Sequence, residues 1–361
     1  MNIPVRLGQR SYVIAVADSY EALPKRLQAL GLPLSGWVIS HHGLLERYGR
    51  ELLEPLRQAG WSLETLIIPE SERSKSLAVA ARLVGGLARR ATMRIPVLFA
   101  FGGGVVGDVT GFIAAVFRRG VPYIQLPTTL LAQVDSAIGG KVGVDLPEGK
   151  NLIGAFYQPQ LVYNNTALLS TLPPRQRRSG LGEVIKYGVI ADAELFSFLE
   201  THLKACLSLE KSAVRLIVER SCHIKAEVVS RDERETDDVR AHLNFGHTLG
   251  HALETATHYR RWTHGEAIAI GMCAAARLAV RAGFCRQEIL DRVTHLIRAS
   301  GLPVLAGNIS PSSVLDAMRY DKKFIHGRPR WVLPVRIGKV VVTETLDERL
   351  VREVVAEYVK P

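Results

Sequence analysis

The sequence predicts an α/β first half built on a largely parallel sheet, followed by an all-α second half, and three observations carry that reading. Up to Leu172, short apolar runs alternate with segments of helical periodicity, the pattern of strands joined by helices that cover both faces of a sheet. Beyond Pro173, successive segments all repeat their apolar residues at helical spacing. Between the halves stands Thr171-Leu172-Pro173-Pro174, whose paired prolines stop a helix or a strand and stiffen a linker. The expected domains are therefore 1–172 and 173–361.

In chain order, residues 11–16 and 36–39 are rich in β-branched and aromatic residues and read as strands, and 44–59 reads as a helix. A strand at 63–68 and a helix at 74–90 follow. Residues 95–101 form a β-rich run that ends in a glycine cluster, after which 110–117 suits a helix and 123–127 a short strand. In the second half, 180–189, 193–207, 211–230, 246–256, 266–282 and 286–299 read as helices. A β-like tail covers 330–335 and 339–342.

With 361 residues, 47% of them hydrophobic and 22% charged, the chain is long enough for two separate cores, and disorder is excluded. A net charge of +11 admits nucleic acid, an acidic membrane surface or an anionic small substrate as partner. The basic residues are scattered, with no long Lys/Arg block and no basic stripe interleaved with aromatics, so a small anionic substrate is expected and neither nucleic acid nor a membrane is. Cys206, Cys222, Cys273 and Cys285 lack Cys-x-x-Cys spacing and read as reduced core residues. The start of the chain lacks signal-peptide character, and no 18-residue apolar run occurs, so a cytoplasmic enzyme is expected.

Phe101-Gly102-Gly103-Gly104-Val105-Val106-Gly107-Asp108 fits the glycine fingerprint of a dinucleotide site. Glycines at 102, 104 and 107 let the backbone turn after a strand and approach a pyrophosphate, whose charge is met by N–H groups at a helix start. The bland alternative is a glycine-rich turn with no ligand. Two details depart from a first-strand Rossmann motif: the cluster lies far from the N-terminus, and no acidic residue ends an apolar strand about twenty positions later. Downstream, 127–141 is dense in hydroxyls and glycines around Asp135 and Lys141, and Lys150-Asn151 follow a turn; converging lysines and an asparagine suit a phosphate, whereas a lone surface lysine is usually only solvated.

Histidines and a carboxylate make a metal-site candidate. Glu183 lies in Gly182-Glu183-Val184-Ile185-Lys186, with His247 and His251 in Asn244-Phe245-Gly246-His247-Thr248-Leu249-Gly250-His251, and His264 before Gly265-Glu266. Two imidazoles and one carboxylate leave a position open for substrate. His247 and His251 share a helical face and could bind together, as could His247 with His264 after a chain reversal. Lys186, three residues after Glu183, falls on the same face, as a surface ion pair or as a buried group facing substrate.

These stretches, together with Gln125-Leu126-Pro127-Thr128-Thr129-Leu130-Leu131 and Gly182-Glu183-Val184-Ile185-Lys186-Tyr187-Gly188, resemble the 3-dehydroquinate synthases, a family of sugar-phosphate cyclases, over nearly the whole chain and most strongly over 101–159 and 182–271. The resemblance implies a Rossmann-like domain that binds NAD, followed by a helical domain for metal and substrate. It makes Glu183, His247 and His264 the ligands of zinc (or cobalt), with His251 facing substrate instead. NAD would meet Glu72, Lys75, Gly103, Gly104, Val105, Gly107, Asp108, Thr128 and Thr129, then Asp135, Lys141 and Lys150. Catalytic roles fall to His251, Lys186, Lys225, Asp135, Lys141, Arg240 and Asn244. Substrate contacts fall to Lys150, Asn151, Glu235 and Lys322 or Lys323 of Asp321-Lys322-Lys323. Arg119 matches an arginine that reaches the phosphate held by a neighbouring subunit, which implies a homodimer.

The implied reaction, a carbon–oxygen lyase step in the shikimate pathway, turns 3-deoxy-D-arabino-heptulosonate 7-phosphate into 3-dehydroquinate and phosphate. It runs through transient oxidation, phosphate elimination, reduction, ring opening and an intramolecular aldol closure, with no net redox change. Departures from the family pattern are Ser40-His41-His42-Gly43 where Thr-Asp-x-Asn is usual, Ser71 for a glycine, and a longer loop before Arg240. The first puts the usual ribose hydrogen bond in doubt. The competing readings are another cyclase of the amino-dehydroquinate or valiolone type, a metal-dependent NAD alcohol dehydrogenase, and a basic nucleic-acid-binding protein.

Overall fold

The computed structural model describes every residue except 91–94, 237, 320–323 and 326–327. The chain forms two compact units, Met1–Leu172 with Lys225–Arg234, and Pro173–Ile224 with Glu235–Pro361. The sequence reading leaves 225–234 in the second domain. Side chains group it with the first: Arg6 N donates to Ser230 Oγ (2.8 Å), Arg10 Nη2 pairs with Glu233 (2.6 Å) and Gln158 Nε2 donates to Glu233 Oε1 (3.0 Å).

The first unit comprises β1 (Asn2–Val5), β2 (Tyr12–Ala17), α1 (Leu23–Ala29), β3 (Ser35–Ser40), α2 (His42–Gln58), β4 (Ser62–Ile67), α3 (Leu77–Arg90), β5 (Val97–Gly102), α4 (Gly104–Val116), β6 (Tyr123–Pro127), β7 (Lys141–Leu146), β8 (Gly149–Phe156) and β9 (Leu161–Asn165). Seven strands pair in the order β1-β2-β9-β6-β5-β3-β4, antiparallel only at the β1–β2 edge. Strand alternation builds two cores, one per face. Along β5, Leu98 and Ala100 pack with Leu83, Leu87, Val109 and Ile113 from α3 and α4, while Val97, Phe99 and Phe101 pack with Leu23, Leu27, Leu52 and Leu56 from α1 and α2. Both faces are covered, so β5 is buried throughout.

The expected helix at 110–117 begins earlier, at Gly104. Its glycines lower intrinsic helix propensity, but most of α4 from Val106 to Ala114 is buried, and packing overrides propensity. The stretch dense in hydroxyls and glycines, 127–141, ends at Lys141, which opens the antiparallel β7–β8 hairpin, where Val142 and Val144 join the core.

The second unit contains α5 (Pro174–Ala191), α6 (Ala193–Leu207), most of α7 (Lys211–Arg231), α8 (Asp238–Ala241), α9 (His247–Ala256), α10 (His264–Arg281), α11 (Gln287–Ala299), α12 (Pro311–Arg319), the short pair β10 (Phe324–Ile325) and β11 (Arg328–Pro329), the hairpin β12 (Trp331–Arg336) and β13 (Lys339–Thr343), and α13 (Glu348–Tyr358). It is helical apart from these late strands. The almost wholly apolar α10 is central, packed against α5, α9, α11, α13 and β12.

Candidate functional site

In the first unit, the order of the strands reverses between β3 and β5: β4 lies outside β3, while β5 and β6 extend the other way. Open α/β sheets bind ligands at the carboxyl ends of the strands flanking such a point. There β5 ends at Gly102 and α4 starts at Gly104; the N-cap Gly103 is extended (φ −76°, ψ −168°) and no side chain caps the helix. The start of an α-helix such as α4 leaves its first N–H groups without partners in the helix itself. Val105 and Gly107 sit in its first turns, and Thr128 N donates to Gly102 O (3.0 Å), drawing Thr128 and Thr129 to the loop. At the end of β3, Ser40 Oγ is buried without a hydrogen-bond partner, and His41 Nδ1 stands 3.7 Å from Glu70 Oε2.

Beneath the loop, Lys75 pairs with Asp108 at 2.5 Å, and Lys75 is only 7% exposed. Burial drives the ammonium's pKa down, but the carboxylates of Asp108, Asp145 and Glu72 outweigh it and hold the value above the ordinary one. Glu72 also pairs with Lys150, and Asn151, in left-handed backbone (φ 53°), donates its N–H to Asp145 Oδ1 (2.8 Å). Lys225 Nζ reaches both the carboxylate (2.5 Å) and the carbonyl (2.7 Å) of Asp135. Lys141 is exposed at the start of β7. Arg118 and Arg119 are exposed and consecutive in left-handed backbone, φ 49° and 65°.

In the second unit three helices supply the metal-type cluster. Glu183, in the middle of α5, is fully buried and ion-paired to Lys186, itself 1% exposed. His247 opens α9 after Gly246, whose φ of +78° is glycine territory. His264 is the first residue of α10, whose start is fixed by a capping box: Thr263 Oγ1 accepts from Glu266 N (3.4 Å) and Thr263 N donates to Glu266 Oε2 (2.8 Å). Close approach of α10 to α5 needs Gly265, because a Cβ there would fall 1.9 Å from the Ser179 carbonyl oxygen.

Both imidazoles turn Nε2 toward the same carboxylate oxygen, Glu183 Oε1, at 3.6 Å from His247 and 3.3 Å from His264. Ligand atoms about 2.0 Å from one tetrahedral cation stand ~3.3 Å apart. His247 Nδ1 donates to Phe245 O (3.1 Å), which leaves Nε2 as the lone-pair nitrogen a metal requires. Among the described residues Glu183 Oε1, the oxygen both imidazoles face, makes no hydrogen bond, while Oε2 is taken by the Lys186 ammonium. Burial disfavours charge on His264, yet the carboxylates of Glu254 and Glu183 raise its pKa to about 10, so the cluster attracts positive charge. Zinc or cobalt fits this donor set.

The pair suggested by local spacing, His247 with His251, is thus not the set that meets Glu183. His251, half-buried one turn along α9, has its ring 5.2 Å from that of His247 and falls in a second group with Glu254 and His264. Arg240 is 2% exposed with Nε 3.7 Å from Glu235, and Asn244 is half-buried just before α9. Lys322 and Lys323 lie outside the described residues. The sequence reading passes over Glu254, although His247, His251 and Glu254 at i, i+4 and i+7 share one helical face.

Sequence models of the 3-dehydroquinate synthase N-terminal and C-terminal domains match residues 65–179 and 180–324. A 3-dehydroquinate synthase of Caldanaerobacter subterraneus subsp. tengcongensis is 46% identical over 349 residues, spanning 96% of this chain and 98% of the relative. Among solved structures, a 2-epi-5-epi-valiolone synthase from Streptomyces hygroscopicus subsp. jinggangensis with NAD+ and Zn2+ bound superposes with a TM-score of 0.88 at 28% identity, covering 96% of this chain and 97% of that one. A 2-deoxy-scyllo-inosose synthase complexed with carbaglucose-6-phosphate, NAD+ and Co2+ gives a TM-score of 0.88 at 25% identity, covering 99% and 100%.

Proposed function

The chain belongs to the 3-dehydroquinate synthase family, and from that premise we propose that it converts 3-deoxy-D-arabino-heptulosonate 7-phosphate into 3-dehydroquinate and phosphate, as a cytoplasmic, homodimeric lyase that uses NAD+ and zinc. The observation that carries the reading is the convergence of His247 and His264 on one oxygen of the buried Glu183 carboxylate. When bound, the dinucleotide supplies reversible hydride acceptance and the cation a Lewis acid for a substrate hydroxyl.

The remaining work falls to side chains. His251, beside the ligand cluster, takes and returns the proton of the hydroxyl being oxidised; an imidazole exchanges a proton near neutral pH. Lys186, paired with Glu183, orients the substrate hydroxyls. Arg240, with Lys225 or Asn244, meets the substrate carboxylate. Lys141, Asn151, Lys322 or Lys323, and Arg119 of a second copy hold the phosphate, which acts as the base for its own elimination. Gly103 to Asp108, Lys75, Glu72, Thr128 and Thr129 receive the dinucleotide, whose pyrophosphate suits the uncapped start of α4. One small molecule held through several steps needs positioning above all.

Two supports bear on the assembly and the compartment. Arg118 and Arg119 keep a left-handed backbone on an exposed turn, strain that fits a role in presenting Arg119 to a second copy. None of the four cysteines is in a disulfide, as in a reducing compartment, and among the described residues no helix is long and apolar enough to cross a membrane.

The test is incubation with the heptulosonate phosphate while inorganic phosphate is assayed. Phosphate release that a chelator abolishes and added zinc restores, with no build-up of absorbance at 340 nm, is expected. Steady accumulation of NADH would instead mark a dehydrogenase.

A further inference from the structure

We infer that Glu254 is a positioning residue for the metal centre: its carboxylate holds the His264 imidazole so that Nε2 points at Glu183. The inference rests on the cation-binding part of the reading above. The two ring nitrogens of His264 face opposite carboxylates, Nδ1 lying 3.4 and 3.5 Å from the two Glu254 oxygens and Nε2 3.3 Å from Glu183 Oε1. Glu254 is 7% exposed, so it stands out of water where a carboxylate is kept only with partners.

The need for such a group follows from where His264 sits. As the first residue of α10 it has no preceding turn of its own helix to restrict its ring, and the capping box beside it engages the Thr263 and Glu266 side chains rather than the imidazole. His247, also at a helix start, has a different orienting acceptor, the carbonyl of Phe245. Each candidate ligand therefore has an acceptor behind Nδ1 that leaves Nε2 for the ion, one neutral and one a carboxylate. The carboxylate fixes the tautomer and ring orientation of His264, as outer partners of metal-bound histidines do. α9 thus carries one ligand at His247 and, two turns later, the support for the other.

Zinc affinity of the full-length protein, stripped of metal and titrated against a chromophoric chelator, tests this without any turnover. Glu254→Gln is expected to weaken zinc binding about 10–100-fold, with an unchanged melting temperature of the metal-free protein. Glu254→Asp should recover part of the loss, and the Co2+-loaded Gln variant should keep an intense visible spectrum of four-coordinate type. Affinity of Glu254→Gln within twofold of the parent overturns the inference, as does a matching fall in metal-free stability, which would make Glu254 merely structural. Loss of zinc on changing Glu254 or His251 but not His247 also overturns it, since the ion would then sit in the second group. A parent chain that binds zinc but releases no phosphate would sink the proposed reaction and leave this inference standing; one that binds no zinc would sink both.

Discussion

At the scale of single residues, the proposed roles separate groups that hold a cation from groups that move protons. His264→Ala is expected to lose stoichiometric zinc and to lower phosphate release roughly a thousandfold or more, read by metal analysis beside the phosphate assay. His251→Ala should instead keep its zinc and lose kcat by about 10²–10⁴-fold; equal metal loss would move His251 into the ligand set. Asp108→Ala would leave Lys75 buried beside fewer carboxylates, at a cost of about 3 kcal/mol, visible as a lower melting temperature and weaker NAD+ binding. Residue types were largely legible in the sequence, because carboxylates, imidazoles and glycines announce their chemistry. Pairing was not. The i, i+4 spacing of His247 and His251 does not reveal that His247 and His264 are the pair facing Glu183, since that arrangement is a property of three helices and local spacing describes only one. Glu254 went unread for the same reason: its significance lies in an imidazole on another helix.

At the scale of elements, the helix starts carry the chemistry. α4, α9 and α10 each begin at a candidate functional residue, and in each a glycine stands at the start or beside it. Gly265→Ala tests how far packing, as distinct from ligation, sets the centre. Its Cβ would meet backbone rather than a yielding side chain, so α10 must withdraw from α5 at a cost on the order of 1–3 kcal/mol or more, and zinc affinity should fall although every ligand remains. Unchanged zinc binding in this variant would show that the helices slide freely. Strands and helices with clear periodicity were readable, as β3 to β6 and α9 to α11 illustrate. The start of α4 and the β7–β8 hairpin were not, because glycine-rich sequence has weak local preference and takes its conformation from the surroundings.

At the scale of the whole molecule, the proposed homodimer lends itself to a complementation test. If Arg119 serves the site of a second copy, Arg119→Ala and His251→Ala chains refolded together at equal amounts should form roughly half mixed dimers, each with one intact site, and recover about a quarter of the parent activity. No recovery in confirmed mixed dimers would confine Arg119 to its own subunit. The first unit also depends on Glu233. Burial raises its pKa, but Arg10 and Gln158 bring it below the ordinary 4.5, so its contribution to stability is present above that pH and fades as the solution is acidified through the lowered value. Glu233→Gln should therefore melt lower than the parent at neutral pH, with a gap that closes in acid; a gap that stays constant would point to lost packing instead. The paired prolines at 173–174 mark where one architecture gives way to the other, yet nothing in the local sequence says that 225–234 returns to the first unit, since its anchors are Arg6, Arg10, Asp135 and Gln158. That return has a consequence for synthesis. The nascent chain cannot complete its first globule when Leu172 leaves the ribosome: Asp135 and Gln158 wait for Lys225 and Glu233, so Pro173–Ile224 of the second unit has been translated while the first stays open to chaperones.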